Sequence, residues 1–325
     1  MKVAIAQIAP RLLDRVETTN RVVEHVHRAA DEGANVVTFG ESLVPGYPLW
    51  ISRTDGARFD AADQKALHAR YLNEAVCLER GDLDAVFSAA RKREIMVVLG
   101  ITERPLDRGG HTLYCTCVVI GSDGTIRSAH RKLMPTYEER LAWGPGDGAG
   151  LVVHPCGEFT LGALNCWENW MPLARSALHA AGENLHVAIW PASSRLTCDI
   201  TRFIAMEARS YVISAGVVIR ASDVPADFPL RDRICHAGED EVMYDGGSCI
   251  AAPDGSWVIE PQSGTEGLFT AEINLNRVLE ARQNFDPSGH YARPDVLRLH
   301  VNRTRLRNAV FDDEGDGETS REIDA

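Results

Sequence analysis

The chain has 325 residues, a formal net charge of −12 and 45% hydrophobic residues. This length fits one large α/β domain, and this hydrophobic fraction is enough to bury a sizeable core. The negative charge repels phosphate backbones, so nucleic acid is not an expected partner. No stretch reaches the roughly 18 apolar residues that a membrane helix needs, and no signal-peptide pattern begins the chain. We therefore expect a cytoplasmic protein that does not bind membranes.

The first part of the chain alternates between strand and helix patterns. Residues 2–8 form an apolar run typical of a strand, and apolar residues recur at helical spacing within residues 18–31. Residues 35–39 are apolar and rich in β-branched side chains, which predicts a buried strand. Glu41 is therefore expected just past the carboxyl end of that strand.

The same alternation continues along most of the chain. Further helices are predicted at residues 61–80, 83–93, 200–211 and 274–283. Further strands are predicted at residues 95–101, 113–120, 126–130, 159–164, 186–190, 212–219, 248–251, 257–259 and 268–273. Because helical crossovers occur together with hairpins, this order predicts a layered α/β domain and not a purely parallel sheet. From about residue 308 the apolar periodicity is lost, which predicts disorder.

Three reactive side chains are predicted at strand ends, namely Glu41, Lys132 and Cys166. A nucleophilic cysteine needs a base or a positive neighbour, because a free thiol is mostly protonated at neutral pH. Glu41 could accept the proton, and Lys132 could stabilise both a thiolate and an anion that develops on a substrate. Glu139 adds a second carboxylate close to Lys132. Taken singly, each residue is more often structural, as a core thiol, a helix cap or a surface charge.

Four stretches of the sequence resemble the signatures of the nitrilase family. They are residues 39–41 with 45–50, residues 130–140 with 143–148, residues 162–169, and residues 286–295. The resemblance implies a four-layer α-β-β-α sandwich over residues 1–300. The composition of residues 301–325 predicts an acidic, disordered tail. The family resemblance implies a catalytic set of Glu41, Lys132 and Cys166, with Glu139 as fourth member. One departure is Gly40, where many family members carry proline.

The family resemblance also implies the reaction. Cys166 would attack a nitrile carbon to give a thioimidate and then a thioester, releasing ammonia and a carboxylic acid, without metal or organic cofactor. The alternatives are an amidase or carbamoylase, a cyanide dihydratase, or a non-catalytic filament protein. Family members commonly form homodimers that assemble into higher oligomers or spirals, and the same is expected here.

Aromatic and polar residues near the motifs are candidates for substrate binding. The candidate substrate-binding residues are Tyr47, Trp50, Thr136, Tyr137, Trp167 and Trp190. Three further features stay open in the sequence. Glu168 is either a buried carboxylate or a cap for the helix that follows it. His290 helps to close the site or an interface, or has a structural role in hydrogen bonding. Residues 222–241 form either an interface or an exposed loop.

Overall fold

The computed structural model describes residues 1–309. Its strands are β1 (Lys2–Gln7), β2 (Val36–Phe39), β3 (Met96–Glu103), β4 (Tyr114–Ile120), β5 (Ile126–Arg131), β6 (Val153–Cys156), β7 (Phe159–Asn165), β8 (Leu185–Ile189), β9 (Tyr211–Ala215), β10 (Val218–Arg220), β11 (Val242–Ala251), β12 (Trp257–Ser263) and β13 (Gly267–Glu272). Its helices are α1 (Arg15–Asp31), α2 (Trp50–Arg53), α3 (Ala62–Glu74), α4 (Asp84–Arg93), α5 (Pro172–Ala180), α6 (Ser194–Ala208), α7 (Arg231–Ile234) and α8 (Leu275–Asn284).

The strands form two mixed sheets. The first has the order β13-β1-β2-β3-β4-β5, and β1, β2 and β3 within it run parallel. The second has the order β10-β11-β9-β8-β7-β6, with β12 pairing with β11, and β7, β8 and β9 within it run parallel. Each sheet therefore has a parallel centre, where strand ends of the same polarity lie side by side.

The two sheets pack face to face through one apolar layer. Side chains from the first sheet, such as Ile5 and Val98, share this layer with Leu161 and Val187 of the second sheet. The next residues along the strands, such as Ala4 and Val97, belong instead to the core between the first sheet and its helices. This alternation follows from the two-residue side-chain period of a strand. Central strands are consequently buried on both faces.

Helices cover the outer face of each sheet. Helices α1 and α4 pack on the first sheet through residues such as Val26 and Val86. Helix α6 packs on the second sheet through Ile200 and Ile204, and α5 packs there through Leu178. The layers are thus helix, sheet, sheet, helix, and the predicted α-β-β-α sandwich is confirmed.

Some element boundaries differ from the sequence prediction. The helix expected over residues 61–80 ends at Glu74, because Val76 forms backbone hydrogen bonds with Thr102 and Arg104 along the edge of β3. The strand expected over residues 212–219 is split into β9 and β10, since Val217 turns aside to donate its N–H to Pro191. Strand β6 and helix α5 were not predicted. Each contains a proline, which in a sequence usually argues against a strand or a helix. An edge strand such as β6 and the first turn of a helix such as α5 nevertheless accommodate proline.

Residues 222–241, whose role the sequence left open, and the first residues of the predicted disordered tail both contact the body of the protein. Residues 222–241 include α7, and their Phe228 and Ile234 are buried in the core beside α2. Residues 301–309, the start of the predicted tail, lie along β5, where Arg305 binds Asp147 at 3.0 Å and the carbonyl of Ala129 at 2.8 Å. The remainder of that predicted tail lies outside the described residues. Within residues 1–309, no helix has the length and apolar character that crossing a membrane requires.

Candidate active site

Glu41 lies directly past the carboxyl end of β2, in a turn held by close backbone contacts. Its N–H donates to the carbonyl of Trp190 at 2.9 Å. A Cβ at Gly100 of β3 would lie 2.6 Å from Glu41 Cα, and a Cβ at Gly40 would lie 2.4 Å from a methyl carbon of Val217. Both positions therefore need glycine for the Glu41 turn to reach this place. At Gly40, the site that departs from the family pattern, Val217 fills the space that a side chain would take.

Lys132 follows β5 immediately, and its N–H donates to the carbonyl of Cys115 on β4 at 2.8 Å. Five residues later the chain makes a short turn at Tyr137–Leu141, which begins with a reciprocal cap at Thr136. In this cap the Thr136 N–H donates to Glu139 Oε2 at 2.6 Å. The cap turns the Glu139 carboxylate back toward Lys132, because the same oxygen that caps the turn also faces the ammonium group.

The ammonium group of Lys132 bridges two buried carboxylates. Its Nζ lies 2.8 Å from Glu41 Oε1 and 2.7 Å from Glu139 Oε2. Tyr47 donates its hydroxyl to the other oxygen of Glu139 at 2.9 Å. Glu139 therefore has three donors, whereas neither oxygen of Glu41 accepts a hydrogen bond from residues 1–309 beyond its ion pair. The two carboxylates therefore differ in how firmly hydrogen bonds hold them beside Lys132, with Glu139 the more firmly held.

Cys166 lies at the first position after β7, at the start of the turn Cys166–Trp170. Its φ is +44°, a left-handed conformation that is costly for a residue with a side chain and that persists only where surrounding contacts enforce it. One such contact is a capping box, in which Glu168 accepts the N–H of Asn165 at 2.8 Å. The thiol and one oxygen each of Glu41 and Glu139 all lie within 4.8 Å of one another. Such a set could hold a metal ion, but Lys132 already supplies the positive charge between the carboxylates.

Glu168 also ties the Cys166 turn to the chain beside Lys132. Its carboxylate accepts the N–H of Leu133 at 2.6 Å and contacts His130 Nε2 at 3.0 Å. Burial alone would raise the pKa of Glu168, but His130 and the backbone donors of Leu133 and Asn165 lower it below its usual value. Glu168 is therefore a buried carboxylate that caps the turn Cys166–Trp170 in which it lies, whereas the helix that follows, α5, has no side-chain cap.

Burial and charge set the protonation of the central groups. Burial raises the pKa of Glu41 to about 7, because the opposing effect of Lys132 is smaller and Glu139 adds to the rise. Burial also raises the pKa of the Cys166 thiol well above its usual value, although Lys132 acts in the other direction. Burial favours neutral Lys132, yet Cys166, Glu41 and Glu139 together raise its pKa. The resting centre thus holds a thiol, an ammonium group and a carboxylate able to accept a proton near neutral pH.

A cavity of about 470 Å³ opens above Cys166. Four of the predicted binding residues line it, namely Tyr47, Thr136, Tyr137 and Trp167. The two others lie elsewhere. Trp50 packs edge-on against Tyr71 in the core between the first sheet and its helices, and Trp190 is buried under α6, with its indole N–H donating to Ser214. The prediction for Trp50 and Trp190 was based on their closeness in sequence to the motif loops. That closeness does not determine the direction in which a side chain points, and both rings point into the core.

Several residues of the cavity wall were not identified from the sequence. They come from the loop after β8, from the first turn of α6 and from β11, and include Pro191, Ala192, Ser193, Leu196, Val242, Met243, Tyr244 and Asp245. Tyr244 stacks at a tilt on Tyr47, with ring centroids 5.6 Å apart. No local sequence pattern identifies these residues as cavity wall, because only the folding of the second sheet brings them beside Cys166. His290 lies on an exposed stretch, where its ring contacts Tyr291, and it does not line this cavity.

Comparisons with known proteins agree with this architecture. Residues 2–283 match the sequence model of the carbon-nitrogen hydrolase family. A nitrilase 2 from an unknown prokaryotic organism is 34% identical over 311 residues, which cover 95% of each chain. An aliphatic nitrilase from Rhodococcus rhodochrous is 33% identical over 332 residues, which cover 98% of this chain and 84% of that protein.

Solved structures resemble the fold as well. A carbon-nitrogen hydrolase from Helicobacter pylori G27 has a TM-score of 0.69 at 19% identity, covering 91% of this chain and 96% of that one. A mutant of the Nesterenkonia AN1 amidase, from the nitrilase superfamily, has a TM-score of 0.60 at 20% identity, covering 87% and 94%. From the family match and the relatives above 30% identity, the chain belongs to the carbon-nitrogen hydrolase family, and the resemblance noted in its motifs is confirmed.

Proposed function

We propose that this protein hydrolyses an organic nitrile to the carboxylic acid and ammonia, with Cys166 as nucleophile. The observation that carries this proposal is the buried Lys132, held between two carboxylates beside a thiol at the floor of a cavity. Relatives about one-third identical over nearly the whole chain bear the name nitrilase, which favours nitriles as the substrate class.

The first half of the reaction forms a covalent adduct. Glu41 takes the proton of the Cys166 thiol as the sulfur attacks the nitrile carbon, and one C–N π bond becomes a nitrogen anion. Lys132 and the backbone N–H of Trp167 stabilise that charge, and a proton delivered to the nitrogen gives the thioimidate. A base with a pKa of about 7 suits this step, because it is partly ionised at neutral pH and still accepts a proton readily.

The second half releases both products and consumes two waters. One water adds to the thioimidate carbon, the nitrogen leaves as ammonia, and a thioester remains. A second water, deprotonated by Glu41, attacks the thioester, the carboxylic acid departs, and the sulfur regains its proton. Atoms balance as one nitrile and two waters giving one acid and one ammonia.

The two carboxylates take different roles in this scheme. Glu139 accepts from Tyr47, Lys132 and Thr136, so its oxygens are occupied and it acts as a fixed anchor for the lysine. Glu41 has only its ion pair with Lys132, so an oxygen is available for the thiol proton and later for water. We therefore assign Glu41 as general base and Glu139 as the residue that positions Lys132.

The main alternative is an amidase or carbamoylase, which would use the same four residues but begin from an amide and consume one water. One of the structural neighbours is an amidase, which is the observation that supports this alternative. A cyanide dihydratase is a small-substrate variant of the nitrile reaction. A non-catalytic filament protein is disfavoured because Glu41, Lys132 and Cys166 are all present and in contact range.

The test is ammonia release from aliphatic, aromatic and arylacetonitriles, assayed beside the matching amides and free cyanide. We expect release from at least one nitrile with the acid as product, and none from Cys166→Ala. The matched control is Cys198→Ala, a partly exposed cysteine on α6. Turnover of amides alone would contradict the nitrile assignment, and full activity in Cys166→Ala would contradict the nucleophile assignment.

We also propose that the chain forms homodimers and higher homo-oligomers through α5, α6 and the turn before them. Large apolar side chains are exposed there, including Trp170, Leu173 and Phe203. The two helices form one surface, because Arg175 on α5 pairs with Glu207 on α6 at 2.6 Å. Leu173→Glu should reduce the mass seen by analytical ultracentrifugation, and Leu279→Glu on α8 is the matched control. An unchanged mass in Leu173→Glu would contradict this interface.

A cytoplasmic location is part of the same proposal. The reaction depends on a reduced thiol, and the cytoplasm keeps thiols reduced. Cell fractionation with an antibody to the native chain is the test, and recovery in a secreted or membrane fraction would contradict the proposal.

A further inference from the structure

The peptide group that follows Cys166 is held by a side chain three residues further on. Asn169 Nδ2 donates to the carbonyl oxygen of Cys166 at 2.8 Å and faces the carbonyl of Leu164 at 3.4 Å. Two carbonyl oxygens on one side require the amide NH₂ group there, so the Asn169 Oδ1 atom must face the other way. Asn169 is completely buried.

That other side of Asn169 meets a buried histidine and glutamate. His186 Nε2 lies 2.7 Å from Asn169 Oδ1, and His186 Nδ1 lies 2.8 Å from Glu183 Oε1. Because Oδ1 can only accept, Nε2 must carry a proton, and one further proton lies between Nδ1 and the glutamate. All three side chains are fully buried, so water does not compete for these hydrogen bonds.

Planarity transmits this constraint to the site. In a trans peptide the C=O and N–H groups point in opposite directions within one plane. Fixing the carbonyl of Cys166 therefore fixes the direction of the Trp167 N–H, which belongs to the same peptide group. The left-handed φ of Cys166 makes such a restraint necessary, since an unrestrained turn would relax toward an ordinary conformation.

We propose that the chain of hydrogen bonds Glu183–His186–Asn169 is a positioning device that aims the Trp167 N–H at the nitrogen anion of the reacting nitrile. This inference rests on the proposed function, because it assigns a task within that reaction. None of the three residues touches the cavity, so they act only through the peptide group between Cys166 and Trp167. Two further contacts brace the same segment, since Arg175 donates to the Asn169 carbonyl at 2.7 Å and is itself paired with Glu207.

The test separates charge stabilisation from general damage to the turn. Asn169→Ala should lower kcat for a nitrile roughly 10- to 100-fold, a loss at or below that for deleting a direct donor to a developing anion. KM should change less than about threefold, because the ground-state nitrile carries no charge there. Alkylation of Cys166 by iodoacetamide should fall clearly less than turnover, because alkylation uses the Trp167 N–H only through the thiolate that it helps to stabilise, whereas turnover also needs it at the nitrogen anion.

Further variants test whether the three residues act as one unit. His186→Leu should reproduce the kcat loss, and the double variant with Asn169→Ala should lose little more than either single variant. The matched control is His179→Leu, because His179 is buried beside Glu183, with its Nε2 3.7 Å from the carboxylate, but does not bond Asn169. All rates are normalised to the sites that iodoacetamide titrates, so partial misfolding does not imitate the effect.

Failure of the positioning role and failure of the nitrile function give different results. An unchanged kcat in Asn169→Ala, a parallel loss of alkylation and turnover, or additive losses in the double variant would each overturn the positioning role. If the unaltered chain hydrolyses amides but no nitrile, the proposed nitrile function fails while the kcat comparison can still be made on the amide, whose carbonyl oxygen becomes the anion. If the unaltered chain hydrolyses neither, both proposals fall.

Discussion

Replacing Glu41 with glutamine should make the protein more stable at neutral pH, and by an amount that depends on pH. Burial raises the pKa of Glu41 from its ordinary 4.5 to about 7. The folded state therefore disfavours the ionised carboxylate, at a cost of about 3 kcal/mol when both states are ionised. Glutamine has nearly the same shape and no charge, so it avoids this cost while Lys132 keeps its ion pair with Glu139.

The direction of the effect follows from proton linkage. Because the folded pKa is raised, the contribution of Glu41 to stability is fully present below pH 4.5 and is lost as the pH rises toward 7. The stability difference between Glu41→Gln and the unaltered chain should thus grow from near zero at pH 4.5 to about 3 kcal/mol above pH 7, and then stay constant. Such a gain is large beside the roughly 5–15 kcal/mol that holds a typical domain together.

Urea unfolding followed by far-UV circular dichroism at several values between pH 4.5 and 8.5 measures this difference. The matched control is Glu138→Gln, the same replacement at an exposed carboxylate of the cavity mouth, for which water screens the charge. Turnover of Glu41→Gln should be lost at every pH. In the unaltered chain kcat/KM should rise as the pH passes through about 7, because the base must be ionised. A stability difference that is negative or independent of pH would refute the reasoning.

Three other replacements test separate features of the site. Tyr47→Phe removes one donor to Glu139 and should cost about 1 kcal/mol of stability by urea unfolding, with a several-fold fall in kcat and no loss of the cavity. Gly100→Ala places a Cβ 2.6 Å from Glu41 Cα, so kcat should fall by at least roughly 100-fold; normal turnover would contradict the close packing of that turn. Asp245→Lys reverses a charge in a cavity wall that carries acidic side chains and no arginine or lysine among residues 1–309. It should shift kcat/KM toward carboxylate-bearing nitriles and away from amine-bearing ones, measured on chains of matched length, and an unchanged ratio would show that Asp245 does not face the substrate.

Strand and helix periodicity predicted most of the layered fold, because the buried strands here are short, apolar and separated by helices. The prediction failed where tertiary contacts override local pattern. Val76 ends a helix early by pairing with β3, and Val217 interrupts a strand by turning to Pro191. Neither partner is near in sequence, so no window around these valines contains the deciding contact.

The candidate site was predicted in part for a similar reason. Glu41, Lys132 and Cys166 each follow a strand, and a strand end is visible in the sequence. Whether these three side chains come together depends on how the two sheets pack against each other. The sequence patterns do not give that packing, and only the family resemblance implied it. The support of Cys166 by Asn169 and His186 could not be predicted, because Asn169 stood only within the motif at residues 162–169 and His186 lies on a neighbouring strand with no pattern that links the two.

The origin of the four residues explains why the site tolerates so much buried charge. Glu41, Lys132 and Glu139 come from the first sheet and the turn after it, whereas Cys166 comes from the second sheet. The charges therefore meet the thiol only when the apolar layer between the sheets is formed. That layer, built on residues such as Val98 and Leu161, holds Glu41 away from water even though ionising it is costly. A base with a pKa near 7 is thus maintained by apolar packing remote from the chemistry, and the free energy of that packing offsets the cost of keeping Glu41 reactive.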